Sequence, residues 1–103
     1  MSELSLLRIG DNQHLMVEGD LNVDTVARLK DEGIALINKL QSPVLVDLTG
    51  ARVQGSAAVA LLIAWQRHCV QRHWVVRFIN ASTRLLEIAA ACDVEEILAF
   101  ADS

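Results

Sequence analysis

The stretch VLVDLTGARVQGSAAVALLIAW, Val44 to Trp65, passes from an apolar, β-branched run through a turn of small residues into a helix. Val44–Leu48 has the length and composition of an interior strand, and Pro43 marks its start. Thr49-Gly50-Ala51 is expected to break the run. Ser56 then stands directly before nine consecutive apolar residues, Ala57 to Trp65, of high average helix propensity. A serine in that place is an N-cap signal. A strand that feeds a helix N-terminus is the repeating unit of α/β layers. The turn between them, Arg52 to Ala57, is the candidate functional segment.

Outward from that stretch, Leu4–Ile9 and Gln13–Glu18 read as two short strands joined by the turn tripeptide Gly10-Asp11-Asn12, a hairpin. In the second strand Leu15 and Val17 face one side while His14, Met16 and Glu18 face the other. Gly19-Asp20-Leu21-Asn22 ends it. Asp24 or Asn22 caps the next helix, in which Val26, Leu29, Gly33, Leu36, Ile37 and Leu40 recur at helical spacing until Ser42-Pro43 stops it. The Ser56 helix ends near Arg72-His73, because Trp74–Ile79 returns to a strand pattern. Ser82 or Thr83 opens a third helix with Leu85, Leu86, Ile88 and Ala89, and Asp93 starts a short fourth through Val94, Ile97, Leu98 and Phe100. The expected fold is α/β: a mixed four-stranded sheet in a single layer, with helices on one face because its crossovers are right-handed.

Composition limits what this fold is for. A chain of 103 residues, 52% apolar, forms one domain spanning residues 1–103. A net charge of −4 gives no basic stripe for nucleic acid. The longest apolar run is about half of a membrane crossing, and Met1-Ser2-Glu3 does not open a secretory signal, so the expected location is the cytoplasm. Cys69 and Cys92 are the only cysteines, expected as free thiols. His14, His68 and His73 have no partner at metal-binding spacing, and His68 and Cys69, as helix neighbours, point apart.

No catalytic constellation is visible. Glu18, Asp20 and Asp24 are carboxylates near one turn and read as solvated turn and cap residues. Gly50 and Gly55 flank a loop without the lysine of a phosphate cradle, and no cofactor is implied. What remains is a binding surface. Ser56 presents a hydroxyl at a helix N-terminus whose backbone N–H groups are unpaired, and Gly55 and Ala57 let another surface approach closely. Arg52 and Gln54 supply a polar rim. A helix apolar all round cannot bury every face in a one-sided layer, so part of Ala58, Val59, Leu62 or Ile63 is expected to complete the patch.

Several motifs resemble the STAS domain, the small fold of the anti-sigma factor antagonists and related regulatory modules, over nearly the whole chain. Gly19-Asp20-Leu21 is similar to that family's Gly-Glu-Leu after its second strand, which brings Asp20 and Asn22 into the candidate partner surface. Val46-Asp47-Leu48-Thr49-Gly50 resembles its Leu-Asp-Leu-Ser-Gly. The antagonists' Asp-Ser-Ser-Gly-Leu, phosphorylated on its first serine, falls on Gly55-Ser56-Ala57-Ala58-Val59, where only Ser56 is kept. Leu61-Leu62-Ile63-Ala64-Trp65, with Val76-Arg77-Phe78-Ile79-Asn80 and Leu86-x-x-Ala89, resembles the STAS subunits of ABC systems that move phospholipid between the two membranes of Gram-negative bacteria. That resemblance implies a non-catalytic subunit on the side of an ABC transporter ATPase, with a permease in the full complex, and Ser56 in the contact. The alternative is an anti-sigma factor antagonist switched by phosphorylation of Ser56.

Overall fold

The computed structural model describes residues 6–101. Its elements are β1 (Leu6–Ile9), β2 (Leu15–Leu21), α1 (Val26–Ile37), β3 (Val44–Val53), α2 (Ala57–Gln71), β4 (Val76–Ile79), α3 (Thr83–Ala91) and β5 (Phe100–Ala101). They build a five-stranded sheet in the order β1-β2-β3-β4-β5, antiparallel only between β1 and β2. Each parallel crossover steps to the next strand in the same direction, so right-handed connections leave the three helices on one face. The expected mixed α/β layer is found, with five strands rather than four. Leu4 and Ser5, expected in the first strand, lie outside the described residues.

The helix-side face of the sheet carries Leu15, Val17 and Leu21 from β2, Val44 and Val46 from β3 and Phe78 from β4, all nearly inaccessible to solvent. Leu29 and Ile37 of α1, Leu61, Leu62 and Trp65 of α2, and Leu85 and Ala89 of α3 close over them. Full burial of such a side chain contributes about 1.5–3 kcal/mol. Gly33 lets α1 lie against the indole of Trp65, whose Nε1 donates to the Lys30 carbonyl at 3.2 Å.

Several element boundaries differ from the sequence reading: α1 ends at Ile37 rather than running through Leu40, and β4 starts at Val76 rather than Trp74. β2 and β3 both run on: Glu18 to Leu21 pair with Gly50 to Val53, past a register shift between Met16 and Glu18. Gly50 is therefore inside a strand, where an added Cβ would meet the Glu18 side chain at 2.9 Å. The expected fourth helix is a single turn, closed by Ile97 and Leu98 N–H bonds to the Val94 carbonyl. The chain then enters β5, with Phe100 paired to Phe78 and their rings 6.1 Å apart. Gln66 fastens this segment to α2, donating to the Ile97 carbonyl at 2.7 Å and accepting from the Ala99 N–H at 2.8 Å. In the hairpin the left-handed residue is Gln13, at φ 66, just beyond the expected tripeptide.

Both cysteines are free thiols, Cys69 buried and Cys92 exposed. Burial pushes the Cys69 thiol up, against a weaker opposing effect of Arg72. His68 is turned to Arg72 and Asn38, with Arg72 Nε donating to His68 Nε2 at 3.0 Å. A thiol-specific disulfide reagent is expected to titrate Cys92 alone in the native chain and Cys69 only after denaturation. Rapid reaction of both would contradict the burial of Cys69.

Candidate functional site

The parallel strands β2, β3 and β4 all deliver their C-terminal ends to one edge of the sheet. That edge is where loops of open α/β sheets converge and carry function. After β2 come Asn22, Val23 and Asp24; after β3 come Gln54, Gly55 and Ser56; after β4 come Asn80 and Ser82. Asp20 and Arg52, one residue before the ends of β2 and β3, are paired across the strands, and Arg52 Nε donates to Asp20 Oδ1 at 2.7 Å. This places Asp20 and Arg52 together on the sheet face away from the helices.

The turn after β2 is fixed by its own polar groups. Asn22 Oδ1 accepts from the Asp24 N–H at 2.9 Å. Thr25 Oγ1 donates to the Asp20 carbonyl at 2.8 Å and accepts from the Asn22 N–H at 3.0 Å. Thr25, neither Asn22 nor Asp24, holds the N-cap position of α1, without a side-chain cap bond. The knot leaves Val23 78% exposed, the most exposed large apolar side chain at this edge. Sequence reasoning missed it; the signal was a lone valine between Asn22 and Asp24 in an otherwise polar turn.

Ser56 occupies the N-cap position of α2, as expected, but its hydroxyl makes no cap bond. The cause is backbone geometry. Ser56 has ψ −11, already helical, whereas a capping residue is normally extended so that its side chain reaches back to the helix. Ser82, at ψ 158, shows the competent geometry and accepts from the Leu85 N–H at 3.1 Å. The Ser56 side chain is exposed and not spent on its own helix. At Gly55 an added Cβ would meet nothing within 4 Å, and its φ is not left-handed. Neither packing nor backbone conformation within this chain demands a glycine there.

The other expected surface residues divide. Arg52 and Gln54 are exposed, and Gly55, Ala57, Asp20 and Asn22 are partly so. Val59 is not available: at 3% exposure it belongs to the core, with Ala58 and Leu62, because the first turn of α2 packs over the end of the sheet. Of the apolar residues proposed to complete the patch only Ile63 is partly open. It lies on a stripe with Ser56, Ala60, Ala64 and Arg67, the solvent side of a helix whose opposite side buries Leu61, Leu62, Trp65 and Cys69.

Behind this edge Asp47 is 9% exposed. Its Oδ1 accepts from Thr49 N at 2.9 Å, Thr49 Oγ1 at 2.6 Å and Asn80 Nδ2 at 3.1 Å. Burial opposes the charge, but these bonds, aided by the nearby His14, outweigh it and hold the carboxyl below its usual value. The cluster ties the β3 irregularity to the loop after β4. A folded-state value below the unfolded 3.8 adds stability above about pH 4, which is lost as the pH falls through the folded value. Asp47→Asn is expected to cost about 1 kcal/mol at pH 7, with the gap to wild type closing on acidification in urea titrations. A gap independent of pH would refute a role for the charge.

An edge with one ion pair, an unspent serine, an unconstrained glycine and an exposed valine has the character of a contact surface. Comparison with known proteins gives the family of the chain. A family profile described as "Mlab, STAS domain" matches residues 5–99, and the chain belongs to that family, whose domains are generally non-catalytic. Among solved structures it is similar to the MlaB chain of the Acinetobacter MlaFEDB complex in its ATP-bound Vtrans2 conformation. The two are 29% identical with a TM-score of 0.79, covering 93% of this chain and 99% of that one. The anti-sigma factor antagonist SpoIIAA in its unphosphorylated form aligns with a TM-score of 0.71 at 12% identity, over 97% of this chain and 88% of that one, and so shares the fold. A comparison with curated proteins gave no match. Among the described residues no helix is long and apolar enough to cross a membrane.

Proposed function

We propose that the chain is a non-catalytic subunit of an ABC phospholipid transporter of the Mla type, serving outer-membrane lipid asymmetry. In this reading it docks on the transporter's ATPase and supports assembly and activity. The observation that carries this is the similarity to a chain of the MlaFEDB complex over nearly the full length of both. The docking surface is the C-terminal edge of the parallel strands. Ser56, Gly55 and Ala57 stand at its centre, Gln54 and Arg52 with its partner Asp20 form the polar rim, Val23 beside Asn22 is the apolar anchor, and Ile63 extends it along α2. Small and apolar groups ringed by polar ones make up a protein interface. Through that partner the chain resides at the inner face of the inner membrane.

The test is purification of the tagged chain from its native host, with the proteins that co-elute identified by mass spectrometry. An ABC ATPase with its permease is the expected result. Recovery of a serine kinase and no ATPase would overturn this reading in favour of a phosphorylation-switched antagonist.

A further inference from the structure

Three exposed arginines, Arg8, Arg28 and Arg52, are each paired with a carboxylate of this chain. Arg67, in the second half of α2, is exposed and has no ion-pair partner among the described residues. The same holds for Glu95 and Glu96, exposed in the single turn before β5. These unpaired charges of opposite sign border one apolar patch.

The Gln66 clasp sets them side by side, because it holds the 94–99 segment against α2 through the Ile97 carbonyl and the Ala99 N–H. Val70 stands one turn beyond Gln66, and around the helix it falls between Gln66 and Arg67. The turn with Glu95, Glu96 and Ile97 therefore lies on one side of Val70, and Arg67 on the other. Val70 is 60% and Ile97 63% exposed, so the patch has an apolar centre, a cation on one flank and two anions in the turn that forms the other. Such a surface is complementary to itself. A two-fold axis through the apolar centre carries the cationic flank of one copy onto the anionic flank of the other, which is what an isologous contact requires. Between two chains of net charge −4, opposite charges brought together at the rim also offset the overall repulsion.

We propose that this patch pairs two copies of the chain about a two-fold axis, with Val70 and Ile97 of each copy against those of the other and Arg67 of each on Glu95 and Glu96 of the other. A contact built on two apolar side chains per copy belongs with the small, weak interfaces below about 1,200 Å², so the pairing is reversible. Val70 lies near the far end of α2 from Ser56, about 20 Å along the helix axis, and the pairing leaves the docking edge open.

The test is sedimentation velocity on the purified full chain at low ionic strength, from about 5 µM to about 1 mM. A reversible shift from one chain mass towards two is expected, half complete between roughly 10 µM and 1 mM. Each side chain enters a two-fold contact twice, so Val70→Gln and Arg67→Glu should each weaken the pairing by about tenfold or more. Both positions are exposed, so both variants should melt with the wild type. Arg67→Glu combined with Glu95→Arg and Glu96→Arg exchanges the two flanks and should restore the pairing. A chain monomeric up to about 1 mM, a dimer that neither single substitution weakens, or one that the charge exchange fails to restore overturns the proposal. A monomer whose Val70→Gln variant also recovers less ABC ATPase overturns it in favour of a patch that belongs to the docking surface. Failure of the pairing leaves the docking of the Ser56 edge standing, because that reading uses none of Arg67, Val70, Glu95, Glu96 and Ile97.

Discussion

Trp65→Ala should cost the domain about 3–5 kcal/mol, a large share of the roughly 5–15 kcal/mol that holds a domain folded. The indole is fully buried in the middle of α2 and spans the gap to α1. Its removal leaves a cavity between two helices and frees the Lys30 carbonyl. The same contact decides the sign of a change on the facing helix. Alanine in place of a mid-helix glycine ordinarily gains about 1 kcal/mol. At Gly33 the new methyl would land on Cε2, Cζ2 and Nε1 of Trp65, a rigid ring with no route to solvent. Overpacking of that kind costs about 1–3 kcal/mol, so Gly33→Ala should be destabilising. In a Trp65→Leu background the obstacle is gone, and Gly33→Ala should become neutral or favourable. Urea denaturation of the four chains reads this coupling. A Gly33→Ala chain as stable as wild type would show that the helices do not meet as described.

The second large effect separates fold from function. Ser56→Glu should leave the domain as stable or slightly more so, since a carboxylate at a helix N-terminus is favourable by about 0.3–1 kcal/mol. In the proposed docking, the same charge should cut binding to an ABC ATPase by about a hundredfold or more, because an unmatched charge at an interface costs several kcal/mol. Gly55→Ala is the milder companion. With nothing within 4 Å of its new methyl, it should stabilise the free chain by about 0.4–1 kcal/mol while weakening co-purification. Undiminished recovery of the ATPase with Ser56→Glu would remove this edge from the contact, whatever the melting curves show.

The register of the layer was legible because period and composition agreed. Leu15 and Val17 alternate with Met16 and Glu18 as expected, and the small-residue turn leads from β3 into α2. Where the reading failed, a residue served a neighbour rather than its own segment. Gly50 looks like a strand breaker, yet it accommodates the Glu18 side chain from the next strand. Thr49 looks like a turn residue and instead holds the Asp47 carboxylate. Phe100 carries helical spacing with Ile97, but one turn after Val94 cannot compete with pairing to Phe78. Ser56 stands at the N-cap position that its sequence context predicts, without the cap bond, which its ψ forbids. Among Ala58, Val59, Leu62 and Ile63 only Ile63 is partly open, a choice the sequence does not make because nine apolar residues in a row conceal which side of a helix is outermost. No periodicity reveals Val23, whose exposure depends on the Asn22–Thr25 bonds around it.

The strand order of the sheet is also the order of the chain, β1 through β5 without a skipped neighbour. Each strand can therefore pair as soon as it and its crossover helix have left the ribosome, with no earlier slot held vacant for a later segment. Such nearest-neighbour growth keeps each loop closure as short as a parallel crossover allows. It also fixes which of the described strands is covered last. The two-residue β5, with its Gln66 clasp, covers β4 only once Phe100 and Ala101 have emerged, so nascent chains arrested before Phe100 would expose that strand as an open, apolar template for misassembly.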